Sequence, residues 1–167
     1  MSLPARSPRS RPPNARSTDD VSPLDKRIIE HLQADGRRPF TQIAAELGVS
    51  EAAVRARTNR LIEHGILQVV GVTDPLKLGF HQMAMIGIRC ESAKLIEVAE
   101  HLAEMPEVDY VVITAGSYDL LIETVCEDNE ALLTFLADRL RAIDGVRETE
   151  TFVYLRLVKQ TYQYGTR

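Results

Sequence analysis

Arg55, Arg57 and Arg60 fall within six residues that contain no acid, beside Asn59 and the small residues Ala52, Ala53 and Ala56. Arg can read guanine or hold a phosphate, Asn can pair with adenine, and Ala lets a helix backbone approach a groove closely. Ser50, just ahead of them, is a helix cap whose N–H-rich end favours a phosphate. The set is chemistry for double-stranded DNA. Catalytic or metal chemistry has little to work with. His31, His64, His81 and His101 lie singly, without metal-ligand spacing, and Cys90 and Cys126 are far apart and form no Cys-x-x-Cys pair.

The elements that must present these side chains can be read from period and punctuation. Ser22-Pro23-Leu24-Asp25 is a helix start, and Leu24, Ile28, Ile29 and Leu32 follow as one apolar stripe until Asp35-Gly36. A second helix is predicted over about 41–47, closed by Gly48 in the left-handed conformation. Ser50 then caps a third, over about 51–64, with Val54, Thr58, Leu61 and Ile62 inward and the Arg/Asn/Ala face outward. Two helices joined by a Gly turn, braced by a preceding one, make a helix-turn-helix. Ile66–Thr73 is β-branched and reads as a strand, either a wing or a hinge, broken at Asp74-Pro75.

Net charge alone argues against DNA: 20 Lys and Arg stand against 24 Asp and Glu, a formal −4. Residues 1–23 hold four Arg and two Asp, residues 24–65 seven bases and six acids, and residues 66–167 nine bases and sixteen acids. The acid therefore sits in the later two thirds, and the first 65 residues carry +3. Residues 1–22 are rich in Pro, Arg and Ser, with too little apolar surface to offset ordering, and read as a disordered arm. The arm is either a plain tail or a basic segment that touches phosphates. No run of about 18 apolar residues is present, which excludes a membrane span, and the sparse Cys suit a reducing compartment.

From residue 81 to 160 the order is strand, helix, strand, strand, helix, strand, the ferredoxin-like βαββαβ pattern. Strands are expected over 83–89, 108–114, 118–125 and 146–158, with helices over 92–105 and 129–143. The helices cover one sheet face, yet Tyr110 and Val112 alternate with Val111 and Ile113, and Met85 with Ile86, so the other face is apolar too. A second copy of the sheet would cover it, giving a two-fold dimer that also pairs two recognition helices. The fold class is α+β: a winged helix-turn-helix over 23–65, a strand and hinge linker over 66–80, the ferredoxin-like domain, and a tail over 161–167.

In order and spacing, Leu24-Asp25, Ile28, Ile29, Leu32, Gly48-Val49-Ser50, Arg57, Leu61 and Gly65-Ile66 resemble the leucine-responsive/asparagine-responsive (Lrp/AsnC) regulator family. Asp74-Pro75, Leu78-Gly79, Gly116-Ser117-Tyr118-Asp119, Gly145-Val146, Thr149 and Thr151 are similar to its effector domain. The resemblance spans about residues 24–160. It implies a bacterial or archaeal transcription regulator that binds double-stranded DNA, is cytoplasmic and nucleoid-associated, and forms dimers that assemble into octamers or similar rings. It implies no cofactor and no enzyme activity, and an amino-acid effector held at Gly116, Ser117, Tyr118 and Asp119.

That turn can be read chemically in two ways. Its backbone N–H groups could take a carboxylate, Asp119 an ammonium, and Tyr118 could form a wall, with Thr149 and Thr151 as further lining residues. Alternatively Gly116 makes a hairpin turn and Asp119 caps it. Position 58 departs from the family pattern, holding Thr where an aliphatic residue is usual. Two other readings are a sirohaem decarboxylase-like subunit, whose expected Asn-x-Met-x-x-Trp-like run is missing from Phe80–Arg89, and a ligand sensor that does not bind DNA.

Overall fold

Contacts divide the chain into two units, Met1–Val72 with Lys159–Arg167, and Thr73–Val158. The structure, a computed structural model, describes residues 21–161 and 166; the arm at 1–20 lies outside the described residues.

In the first unit, α1 (Pro23–Ala34), α2 (Phe40–Leu47) and α3 (Glu51–Glu63) follow the local signals closely. The Ser22 hydroxyl accepts from Asp25 N–H at 3.2 Å, while the Asp25 carboxylate accepts from Ser22 N–H at 3.0 Å, a reciprocal capping box that starts α1. Gly48 takes φ 67° and donates its N–H to Ala44, which turns the chain sharply between α2 and α3. Ile28, Ile29, Leu32, Ile43, Ala44, Val54 and Leu61 form the core, and Leu67 from beyond α3 joins it. Ile62, expected inward, is 44% exposed; Leu61 already fills the inward position of that turn.

Ile66–Thr73 is not a strand, so no wing is formed among the described residues. Only Leu67 finds a core, while Val69, Val70 and Val72 stay exposed. A strand needs a partner ladder, and β-branched composition does not supply one.

The second unit is a four-stranded antiparallel sheet in the order β2-β3-β1-β4, with β1 Gln82–Cys90, β2 Val108–Ile113, β3 Leu120–Cys126 and β4 Val146–Val153. α4 (Leu95–Ala103) and α5 (Asn129–Thr134) pack on one face. Ala84, Ile86, Ile88, Leu120 and Ile122 point toward Val98, Leu102, Phe135 and Leu140. The predicted second helix of this domain changes winding: after Thr134 it continues as a π-turn over Phe135–Leu140. Both of those end residues are buried. On an α-helix they would stand about 140° apart, and the wider π-turn brings them to one side.

The last strand, predicted to run to 158, ends at Val153, opposite Ala84 near the start of β1. Past that point Tyr154 N–H still bonds the Met83 carbonyl at 2.8 Å, but β1 begins at Gln82 and Leu155 is 97% exposed. Cys126 pairs with Gln82 and Cys90 with Val146, which puts the two buried cysteines at opposite ends of the sheet. Among the described residues no helix is long and apolar enough to cross a membrane.

Candidate nucleic-acid interface and ligand turn

α3 presents one exposed face and one tethered flank. Ala52, Arg55, Ala56 and Asn59 are exposed and, with Glu51, line a shallow depression. The Ser50 hydroxyl accepts from Ala53 N–H at 3.2 Å, so it is committed to capping the helix. Arg55 is steadied from two sides: it pairs with Glu51 at 2.6 Å and lies over the Phe40 ring at 5.3 Å. Those contacts hold its guanidinium on α3's exposed side. Ala53, half-buried, sits at the margin of that face.

Arg57 and Arg60, expected beside Asn59 either to read guanine or to hold a phosphate, reach toward α1. Arg57 donates to one oxygen of Asp25 at 3.1 Å and to the Ser22 hydroxyl at 3.2 Å. Arg60 donates to the other oxygen at 2.7 Å. Asp25 is fully buried. Burial pushes its carboxyl upward, but the Ser22 hydroxyl and N–H, Arg57 and the charge of Arg60 outweigh burial and hold it below the usual carboxylate range. A buried carboxylate must find compensation, and the capping box alone leaves its charge unmatched. From sequence alone Asp25 is a helix-start acid, because nothing local says which residues 32 and 35 positions later will meet it.

A second omission lies at the α1–α2 turn. Arg38 donates to Glu46 and lies 2.9 Å from His31 Nδ1, which pins the turn ahead of α2. Exposed Thr41 and Gln42 follow in the first turn of α2, where the Gln42 N–H donates to the Pro39 carbonyl at 3.0 Å.

The turn over 114–119 is tightly bonded to the sheet. Asp119 N–H donates to Ile88 at 2.9 Å, and its carboxylate accepts from Cys90 N–H at 2.8 Å. Arg89 Nε donates to the Ser117 carbonyl at 2.9 Å, and Arg89 also pairs with Glu148 at 3.1 Å. The Thr114 hydroxyl donates to the Tyr118 carbonyl at 2.5 Å. The Tyr118 ring lies over Gly87: a Cβ there would meet the ring at 2.6 Å. It meets Phe152 edge-on at 6.4 Å between ring centres, with the Arg89 guanidinium 5.9 Å away. Gly116 and Ser117 are exposed, and a side chain at 116 would meet open space. One oxygen of Asp119 is thus spent on the sheet.

The six residues expected around a ligand do not come together. Thr149 pairs opposite Ile88 and Thr151 opposite Ile86, so both side chains share the helix-covered face. Thr149 accordingly stands 3.4 Å from Arg141, just past the π-turn. Tyr118 lies on the other face, over Gly87. Counting alternation forward from the turn could not reveal this split, because it depends on the register between β1 and β4.

That second face carries Met85, Val112, Leu121 and Val125, with exposed Tyr110 and Phe152, as the apolar alternation requires. Glu123 interrupts it. The Tyr154 hydroxyl donates to Glu123, and burial, that bond and the carboxylate charge push the phenol up to about 12. Among the described residues no cluster of His, Cys, Asp and Glu could hold a metal ion.

Comparison with known proteins matches both units. Residues 22–62 match the model of the AsnC-type helix-turn-helix domain, and residues 83–164 that of the Lrp/AsnC ligand binding domain. An HTH-type transcriptional regulator of Pyrococcus furiosus is 39% identical over 140 residues, spanning 83% of this chain and 95% of the relative. The regulator LrpA of Pyrococcus horikoshii is 35% identical, spanning 83% of this chain and 99% of its own. E. coli AsnC superimposes with a TM-score of 0.76 at 27% identity, over 84% of this chain and 95% of that one. A Neisseria meningitidis transcriptional regulator solved with L-Met shares the fold, with a TM-score of 0.76 at 23% identity over 85% of this chain and 94% of that one.

Proposed function

The chain belongs to the Lrp/AsnC family of helix-turn-helix transcriptional regulators, and from that membership we propose how its two units divide the work. The exposed face of α3 enters the major groove. Arg55 and Asn59 read base edges, while Ala52, Ala53 and Ala56 allow the close approach. Arg57 and Arg60, tethered by Asp25, and Ser50 with the α3 N-terminus, serve adjacent phosphates and register. The observation that carries this reading is the exposure of Ala52, Arg55, Ala56 and Asn59 together on one face of α3.

The second unit senses and assembles. Its apolar sheet face, with Met85, Val112, Leu121 and Phe152, pairs with a second copy, and dimers build an octamer or similar ring. A small effector, an amino acid as in the L-Met complex of the Neisseria regulator, is held at Gly116, Ser117, Tyr118 and Asp119. The exposed Gly116–Ser117 backbone receives the carboxylate, the unspent Asp119 oxygen the ammonium, and Tyr118 gives a wall. Thr149 and Thr151 support the sheet beneath and leave the ligand to the turn. The effector acts by binding one assembly or orientation more tightly than another. Acting on DNA, the protein resides with the nucleoid in the cytoplasm; the tetrapyrrole-enzyme alternative gains no support from the matches.

Selection of duplexes from a random library by the full chain, with and without each of the twenty amino acids, tests the reading. A recovered motif whose enrichment shifts with one amino acid supports it. Recovery of no motif overturns the DNA assignment. A thermal-shift panel showing no response to any amino acid overturns the proposed effector class.

A further inference from the structure

On the helix-covered side of the second unit, α4 and the π-turn with the residues after it enclose a groove of about 450 Å³. Small-molecule sites commonly measure about 300–1,000 Å³ and pair an apolar lining with a few placed polar groups. The floor here is apolar, with Val98 and Met105 buried and Ile143 half-buried. Glu97 and His101 form one rim; four residues apart, they share a side of α4. Asp138 stands on the opposite rim, within the π-turn. Such a widening inside a helix recurs at functional sites.

Two ion pairs close the ends of this groove. At one, Lys94 reaches Asp144. Its side chain lies across Gly145, where a Cβ would meet it at 2.9 Å. At the other, Arg139 pairs with Glu107. Both nearby cations are thereby matched. Glu97 and Asp138 are exposed and make no hydrogen bond or ion pair among the described residues; Glu97 acts only at a distance on Lys94. Glu97 lies one turn from Lys94, and Asp138 adjoins Arg139, so the two unmatched charges stand toward opposite ends. From Glu97 to Met105 the groove runs about 12 Å.

We propose that this groove is a second small-molecule site, separate from the Gly116–Asp119 turn, and that it takes a linear aliphatic diamine or polyamine. The methylenes lie on Val98, Met105 and Ile143. One ammonium pairs with Glu97 and another with Asp138, while a neutral His101 ring offers an acceptor nitrogen to the same N–H groups. The occupant bridges α4 and the π-turn, and so stabilises the second unit by mass action. The groove lies on the face opposite the sheet surface assigned above to a second copy, and stays open in that dimer. An amino-acid carboxylate is disfavoured here, since the rim is acidic and its cations are taken. The two sites therefore differ in the ligand chemistry they accept.

Calorimetric titration of the full chain with 1,5-diaminopentane and with spermidine, against 1-aminopentane and magnesium chloride at matched ionic strength, tests the site. The diamine and spermidine should bind saturably and raise the melting temperature, and the monoamine should bind more weakly. Glu97→Gln and Asp138→Asn should each weaken diamine binding about threefold, and together about tenfold, as for partly exposed ion pairs. Glu100→Gln, which removes an exposed acid of α4 outside the groove, should change nothing. Exposed Ala142 lines the groove, and Ala142→Leu should block it without altering charge. Gly87→Ala, which acts at Tyr118, should leave diamine binding intact, so that this site and the effector turn fail separately. Absence of binding to wild type overturns the proposal. So does binding that survives in the double variant and in Ala142→Leu, or that magnesium reproduces, since either outcome marks attraction to the acidic surface at large.

Discussion

Asp25 and Arg60, 35 positions apart, meet at 2.7 Å between the first turn of α1 and the last turn of α3. Arg57 takes the other carboxylate oxygen. Together these pairs tie α3 to α1. Two of the three arginines of α3 are thus tied to the scaffold.

Replacing Asp25 with Asn keeps its shape and removes its charge. The expected loss is about 1–3 kcal/mol, because hydrogen bonds to charged groups are the stronger ones. Chemical denaturation at neutral pH measures it. The carboxyl is held below its ordinary 3.8 in the folded protein, so its stabilisation is complete above that value. It is lost as pH falls through the lower, folded one. The difference between wild type and the Asn variant should therefore shrink on acidification below about pH 4; a constant difference would contradict the assignment.

Asn59 and Arg57 should fail differently. Asn59→Ala is expected to relax preference at one base position by about 1–3 kcal/mol. Arg57→Ala should weaken all sites alike and lower the salt slope by about 1. Binding to a panel of single-base variants of the selected site separates the two; a changed base preference in the Arg57 variant would make it a reader after all.

Gly87→Ala places a methyl where the Tyr118 ring lies. Overpacking of this kind costs about 1–3 kcal/mol, and the ring must leave its seat between Gly87 and Phe152. The variant should fold, melt earlier and lose its thermal-shift response to the effector. An intact response would exclude Tyr118 as a wall of the ligand site.

Thr58 is buried at 2% exposure, and its hydroxyl has no hydrogen-bond partner among the described residues. Thr58→Val exchanges that hydroxyl for a methyl of similar size and should stabilise the protein by about 1 kcal/mol. A lower midpoint in urea would show that the hydroxyl does find a partner in solution.

The Tyr154 phenol is pushed up to about 12 by burial and by its bond to Glu123. An ultraviolet titration should show a late-ionising tyrosine that is absent in Tyr154→Phe. In Glu123→Gln it should move back toward 10, the ordinary value. Because the folded protein holds this proton more tightly, its contribution to stability is lost as pH rises from 10 toward 12.

What could be read in advance was whatever neighbours in sequence determine. Ser22 and Asp25 cap α1 from within one turn, Gly48 bends the chain at its own φ, and alternation along β1 and β3 marked two apolar faces. The misread segments share a cause. Ile66–Thr73 and residues 154–158 have strand composition, but a strand exists only where another backbone accepts its hydrogen bonds. The π-turn at Phe135–Leu140 answers to the core it fills.

The candidate sites divide along the same line. The sequence by itself determined that Ala52, Ala56, Asn59 and Arg60 share a helix face with Arg55 on its flank, because helical period is a local rule, and that Gly116–Asp119 is a turn. Only the tertiary structure decided that Arg57 and Arg60 point to Asp25, because a buried carboxylate demands charge from whichever distant side chain packing brings near. It also decided that Thr149 and Thr151 lie on the opposite face from Tyr118. Strand register is a relation between two backbones, and a shift of one residue would exchange the faces.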